Sequence, residues 1–259
     1  MRGILISTVV ASLTLGSAVV AATAQQVPEQ HPAHHPGEMN KKFADPKLDV
    51  GQFVRHFENE SREVFAQRRA IVRAVGLCPG DVVADVGAGT GLFTRLFASE
   101  VGPKGTVYAV DISPAFLRYI AEQAKDDGHD QVVKTVRNSP DSIALPPRLV
   151  DVVFVCDTYH HFENPGTMLA SMHRALRPGG RLILVDFDLR KDSSASVKQR
   201  ARAPRNVYFR EVVASGFTQV TTPNAPVLKE EFYAEFRRVE PDRKDGRRDS
   251  TPASPSMAP

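Results

Sequence analysis

Two cysteines in 259 residues are too few for a disulfide framework. Neither sits in a C-x-x-C pair or a zinc-spaced cluster, and no G-x-S-x-G elbow is present, which removes a thiol redox pair, a zinc site and the common serine-hydrolase signature. The formal net charge is only +3, from 33 Lys and Arg against 30 Asp and Glu, so charge makes no case for nucleic acid. Internal repeats are absent too. What remains, 42% hydrophobic and 24% charged residues, suits one well-buried α/β domain with ends that need not fold.

The ends differ from the middle. Met1 and Arg2 precede an uncharged stretch, Gly3 to Ala24, rich in Ile, Val, Leu and Ala, and Ala22-Thr23-Ala24 fits an A-x-A cleavage site before Gln25. Residues 1–24 therefore read as a secretory signal peptide, and the mature chain is expected to be exported, periplasmic or secreted, with no stable membrane insertion after cleavage. An uncleaved anchor is the alternative, since about 20 apolar residues can span a bilayer. No lipobox cysteine is present, and a start at Met39 would instead leave the whole fold in the cytoplasm. Residues 25–46, rich in Pro, His and Gln, read as a disordered linker. His31, His34 and His35 lack a folded frame there, so no metal site is expected. The folded domain is placed at 47–240 and a disordered tail at 241–259.

Within the domain, Val50, Phe53, Val54, Phe57, Val64, Phe65 and Ile71 recur at helical spacing and predict two helices, the second ending before Gly76. Core packing is expected of at least two of Phe53, Phe57 and Phe65, the alternative being pocket walls. Cys78 precedes the first strand and Cys156 ends the fourth, which in parallel neighbours puts them roughly 15 to 20 Å apart, beyond the ~7 Å reach of a disulfide. Both are expected to be buried thiols.

Val82 to Thr94 (VVADVGAGTGLFT) is the most informative stretch: an apolar run reaches an acid, turns through glycines 87, 89 and 91, and resumes as an apolar helical pattern. Such a strand-loop-helix binds a cofactor. A dinucleotide fingerprint would place its third glycine at Leu92, and its loop receives a pyrophosphate. Asp85, two residues before the first glycine, opposes phosphate and suits an ammonium group. A nucleoside at one end and an amino acid's ammonium at the other describe S-adenosylmethionine, and (D/E)-x-G-x-G-x-G resembles motif I of the class I methyltransferases. The second half of the site follows at the right distance, since TVYAVDI (106–112) ends near Asp111, 24 positions after Gly87, where an acid takes a ribose diol.

The resemblance covers roughly residues 50 to 240. NSPDSIALP (138–146) looks like the family's adenine loop, with Asp141 in the acidic position and Ser142 beside it. DVVFVC (151–156) reads as a buried strand, and LRPGGRLILVD (176–186) is the family's helix-to-strand-five signature. Phe217 to Val220 with Glu231 to Val239 resemble a closing antiparallel pair, spaced as in quinone- and sterol-directed small-molecule methyltransferases. The resemblance implies a Rossmann-like, doubly wound α/β fold with a mostly parallel seven-stranded sheet, helices on both faces and an antiparallel C-terminal strand pair. It implies S-adenosyl-L-methionine as cofactor, held by Asp85, Gly87, Ala88, Gly89, Gly91, Asp111, Ile112, Asp141, Ser142 and Asp157, and a small-molecule methyl acceptor. Strand four delivers Asp157-Thr158-Tyr159-His160-His161 to the edge where chemistry belongs. His160 or His161 is the candidate general base, the alternative being that one ring braces the loop. Arg190, Lys191, Lys198, Arg200, Arg202 and Arg205 crowd 16 residues and are expected to be a solvated face, with a basic lid for an acidic substrate as the alternative. Two rival functions stand beside the methyltransferase reading. A nucleotide-dependent oxidoreductase is opposed by Asp85 and Leu92; an exported, non-catalytic small-molecule or nucleoside-binding protein is opposed by the intact set of acids.

Overall fold

Branched aliphatic runs make the sheet. Val82–Val86 (β1), Thr106–Asp111 (β2), Val133–Arg137 (β3), Val150–Cys156 (β4) and Leu176–Phe187 (β5) lie parallel in the order β3-β2-β1-β4-β5. Glu231–Arg238 (β7) then runs antiparallel to β5, and Phe217–Val220 (β6) antiparallel to β7 at the edge. The central strands read as continuous apolar runs because both faces are covered. Val83, Val152 and Phe154 pack on one side with Ile71, Phe93, Phe97 and Ile120. Ala84, Val86, Val153 and Val155 pack on the other with Met168, Leu169, Tyr208 and Val212. This is the doubly wound, Rossmann-like seven-stranded sheet that the sequence predicts. Strand order reverses between β2 and β4, both neighbours of β1, and a crevice opens there at the carboxyl ends of the strands.

The computed structural model describes residues 36–240. The expected signal peptide, the histidines at 31, 34 and 35 and the tail at 241–259 lie outside the described residues. Among those described, no helix is long and apolar enough to cross a membrane. The covering helices are Pro36–Lys41 (α1), Val50–Phe57 (α2), Glu63–Ala66 (α3), Arg68–Val75 (α4), Leu92–Val101 (α5), Pro114–Asp126 (α6), Pro165–Ala175 (α7), Ala195–Arg200 (α8) and Arg205–Ala214 (α9).

Three expectations are corrected. The linker does not run to residue 46, because α1 and Phe43 belong to the folded body: Asn40 Nδ2 donates to the His161 carbonyl at 3.0 Å, and the Phe43 ring meets Phe53, Phe116 and His161 at 5.6, 6.1 and 5.8 Å. One docked aromatic leaves no periodicity to read. Residues 48–75 form three helices rather than two, the break falling between Phe57 and Glu63, while α4 does end at Gly76, whose left-handed φ of 60° closes it. Cys78 is exposed and Cys156 half-buried, both as free thiols. Cys78 precedes the first strand, where a turn rather than the core surrounds it.

Candidate cofactor and acceptor site

The loop after β1 is shaped by what crowds it. Gly87 has φ 73°, and a Cβ there would lie 2.2 Å from Thr158 Oγ1 and Cγ2. Gly91 has φ 79°, and a Cβ there would lie 2.8 Å from Ile120 Cγ1 on α6. Both positions need glycine twice over, for conformation and for space. The first opens the strand end to a ligand beside the β4 loop; the second lets α6 approach the start of α5. Glu58, at the end of α2, fixes the loop from above by accepting from Thr90 Oγ1 at 2.7 Å and Arg95 Nη2 at 2.8 Å.

Two buried acids flank the glycines. Asp85 accepts from Thr94 Oγ1 at 2.6 Å, and Asp111 accepts from the Gly89 and Ser113 backbone N–H groups, each at 2.8 Å. Burial, reinforced by the neighbouring Asp111, pushes the Asp85 carboxyl up to about 7. Burial pushes Asp111 up to about 6 against the pull of its backbone donors. Two carboxyls that resist ionisation side by side form a site for a cation and for hydroxyl donors.

The ends of β4 and β5 supply the opposite wall. Asp157 takes φ 47°, uncommon for a residue with a Cβ, and its carboxylate pairs with Arg62 from the α2–α3 connection. Burial nevertheless holds the Asp157 carboxyl above its ordinary range. The turn Tyr159–His161 aims His160 at Asp186: Nδ1 lies 2.8 Å from Asp186 Oδ1, and the His160 backbone N–H donates to Oδ2 at 3.2 Å. Burial alone would raise the Asp186 carboxyl; the adjacent His160 ring and the hydrogen bonds the carboxylate accepts outweigh it and hold the group below its usual value. The His160 and His161 rings stack at 4.3 Å, and His160 also meets Phe187 at 5.2 Å.

These walls enclose a cavity of about 590 Å³, within the range of small-molecule sites. Asp85, Gly87, Ala88, Gly89, Asp111, Ile112, Asp157, His160 and His161 all line it, so residues predicted from three segments converge. Gly91 does not line it and acts through helix packing. Asp141 and Ser142 are not on the wall either. Asp141 accepts from Asn164 Nδ2 at 2.8 Å and Thr167 Oγ1 at 3.2 Å at the start of α7, and Ser142 Oγ accepts from the Ala144 N–H at 3.1 Å. Asn138 and Pro140 of the same loop face the cavity, and Asn138 Oδ1 is buried there with no hydrogen-bond donor. An orphaned acceptor at that position fits an exocyclic amino group.

Four features of the site were missed by the sequence or left there as its second reading. Phe53, Phe57 and Phe65 are all cavity walls rather than core. Phe43, Phe53, Phe57 and Phe116 form a cluster of rings, with Phe53 at 5.4 Å from both Phe57 and Phe116. Asp186 was visible only as the last residue of a strand signature; an acid ending an apolar strand beside a histidine turn was the available signal. The basic run is not a solvated face throughout: Arg202 is buried on Glu211 at 2.6 Å, Arg190 and Arg205 both reach Asp188, and Arg200 lines the cavity.

Comparison with known proteins agrees with this geometry. Residues 84–184 match the model of a methyltransferase domain family. The ubiquinone/menaquinone biosynthesis C-methyltransferase UbiE of Shewanella piezotolerans is 30% identical over 179 residues, 68% of this chain and 67% of that protein. The enzyme of the same name from Ectopseudomonas mendocina is 34% identical over 120 residues, so that the chain spans about half the length of this relative, 47%. Among solved structures, a SAM-dependent methyltransferase from Aquifex aeolicus superposes with a TM-score of 0.63 at 24% identity, over 74% of this chain and all of that one. The [4+2]-cyclase SpnF superposes at 0.56 and 16% identity, over 67% of this chain and 80% of that one, a likeness of fold alone. The chain belongs to the class I S-adenosylmethionine-dependent methyltransferases, and S-adenosyl-L-methionine is the cofactor that the family and fold imply.

Proposed function

We propose that this protein moves a methyl group from S-adenosylmethionine to a small-molecule acceptor, with Asp85 receiving the methionyl ammonium, Asp111 the ribose hydroxyls and Asn138 Oδ1 the adenine amino group. The observation that carries this is the convergence of two buried, ionisation-resistant carboxyls and a Cβ-free loop on one cavity. Bound there, the cofactor supplies an electrophilic methyl on a sulfonium. Methyl transfer then needs an in-line nucleophile, so positioning supplies much of the rate and a base is needed where the acceptor carries a proton. His160 is that base: Asp186 Oδ1 lies 2.8 Å from its Nδ1, and the ionised Asp186 stabilises the imidazolium formed when the ring takes the acceptor's proton. The relatives named as C-methyltransferases support an acceptor carbon made nucleophilic by loss of such a proton. A histidine on the cavity wall backed by a buried aspartate favours catalysis over simple ligand storage. The leader-like residues 1–24 support export of the mature chain.

Calorimetric titration with S-adenosylmethionine and S-adenosylhomocysteine tests the reading. Micromolar binding is expected, at least about tenfold weaker in Asp111→Asn. Absence of heat from a protein that melts cooperatively overturns it.

A further inference from the structure

Beyond the cofactor end, the cavity holds two arginines of different status. Arg62 spends its charge on Asp157 and lies 5.1 Å from the Phe57 ring centre. Arg200, the last residue of α8, has no carboxylate partner among the described residues. Its guanidinium lies 4.6 Å from the centre of the Phe187 ring, the same ring that meets His160 at 5.2 Å. Only two of its N–H positions are occupied, Nε by the Ser196 carbonyl at 3.3 Å and Nη2 by Ser196 Oγ, of the five donors a guanidinium carries. The charge is thus half-buried, held against an aromatic wall and without a carboxylate in salt-bridge contact among the described residues, and its remaining donors belong to a cavity-lining group.

The surroundings add to this positive field. His56 lines the cavity too, and its pKa is lowered by burial and by the charges of Arg62, Arg200 and Lys42. The carboxylates on the wall are otherwise engaged: Asp85 and Asp111 flank the glycine loop, Asp157 pairs with Arg62, and Glu163 accepts from Asn40 of α1. Beside Arg200 the wall carries the Phe187 ring, with Gln199 next to it in the chain.

We propose that Arg200 anchors an acidic group of the methyl acceptor, so that the substrate is an aromatic molecule carrying a carboxylate, sulfonate or phosphate rather than a neutral ring. The fork of free guanidinium donors fits two oxygens of such a group, and the Phe187 ring beside it fits an aromatic body. Arg200 determines specificity and takes no part in the bond changes. The assignment rests on the methyltransferase reading of the cavity, and its test separates the two.

With the full chain saturated in S-adenosylhomocysteine, fluorescence titration compares 8-anilino-1-naphthalenesulfonate with N-phenyl-1-naphthylamine, which share an aromatic body and differ by the sulfonate. The sulfonate is expected to bind at least about tenfold more tightly, and Arg200→Gln to bring the two within about threefold while S-adenosylhomocysteine affinity stays unchanged. Raising salt is expected to weaken only the sulfonate. This salt response in the unaltered protein serves as the second readout if the variant folds poorly. Equal affinities for the two probes, no binding of either, or a preference that survives Arg200→Gln overturns the proposal. Failure to bind S-adenosylhomocysteine at all counts against the methyltransferase reading instead.

Discussion

Asp186 shows how much a single buried carboxylate can organise. It is fully shielded from solvent and accepts from the His160 backbone, from His160 Nδ1 and from the Phe187 N–H at 2.7 Å. Replacing it with alanine strands all three groups in a fully buried site. Asp186→Ala is expected to lose about 3 kcal/mol of stability, measured by urea unfolding, which exceeds the cost of a typical surface substitution several-fold. Asp85 and Asp111 differ in kind, because their cost falls on the fold while the site is empty. Asp141 marks the limit of reading residues singly: an acid in the right loop was legible, but its carboxylate accepts from the Asn164 and Thr167 side chains at the start of α7, and Asn138 of the same loop turns inward instead. Sequence distance does not reveal which of four consecutive loop side chains a turn points at the ligand.

Between elements, Glu63 is the main tie from the N-terminal helices to the last strand. It accepts from the backbone N–H groups of Lys229, Glu230 and Glu231 at 2.7, 2.8 and 3.4 Å. Its partner Glu231 is pushed up to about 9 by burial, by Asp157 and by Glu63 itself, so it keeps its proton at neutral pH. Burial works against ionisation of Glu63 as well, but the hydrogen bond from Glu231 and the three backbone donors hold its pKa below the usual range. Glu63→Ala is expected to cost about 1–3 kcal/mol in chemical denaturation and to loosen α3 from β7, seen as faster amide exchange at 229–231. The strands, the glycine turn and the closing antiparallel pair were legible because period and composition are local signals. The α3–β7 tie, the Phe43 anchor and the roof of phenylalanines were not, since each depends on partners at least 59 residues away.

For the molecule as a whole, the two acids link ligand to pH. Asp85 and Asp111 rise from 3.8 to about 7 and about 6 in the empty fold. Above about pH 4 the unfolded chain releases these protons while the empty fold retains them, so their contribution to stability falls as pH rises toward 7. A ligand that brings an ammonium to Asp85 favours the ionised form and reverses that loss. The rise in melting temperature given by a fixed excess of S-adenosylhomocysteine should therefore grow from pH 5.5 to pH 8, toward the equivalent of about 2.7 kcal/mol at a hundredfold excess over Kd. A shift that shrinks over this range would remove Asp85 from the ammonium site.

The roof over the cavity also has a history within each molecule's synthesis. Residues 36–63 emerge first, yet Asn40 waits for His161, Phe43 and Phe53 wait for Phe116, and Glu63 waits for residues 229–231. Phe43 and Phe53 stay open to solvent and to chaperones until Phe116 has emerged, and Glu63 lacks its backbone donors until residues 229–231 follow. The segment that closes the cavity is translated early and completed last.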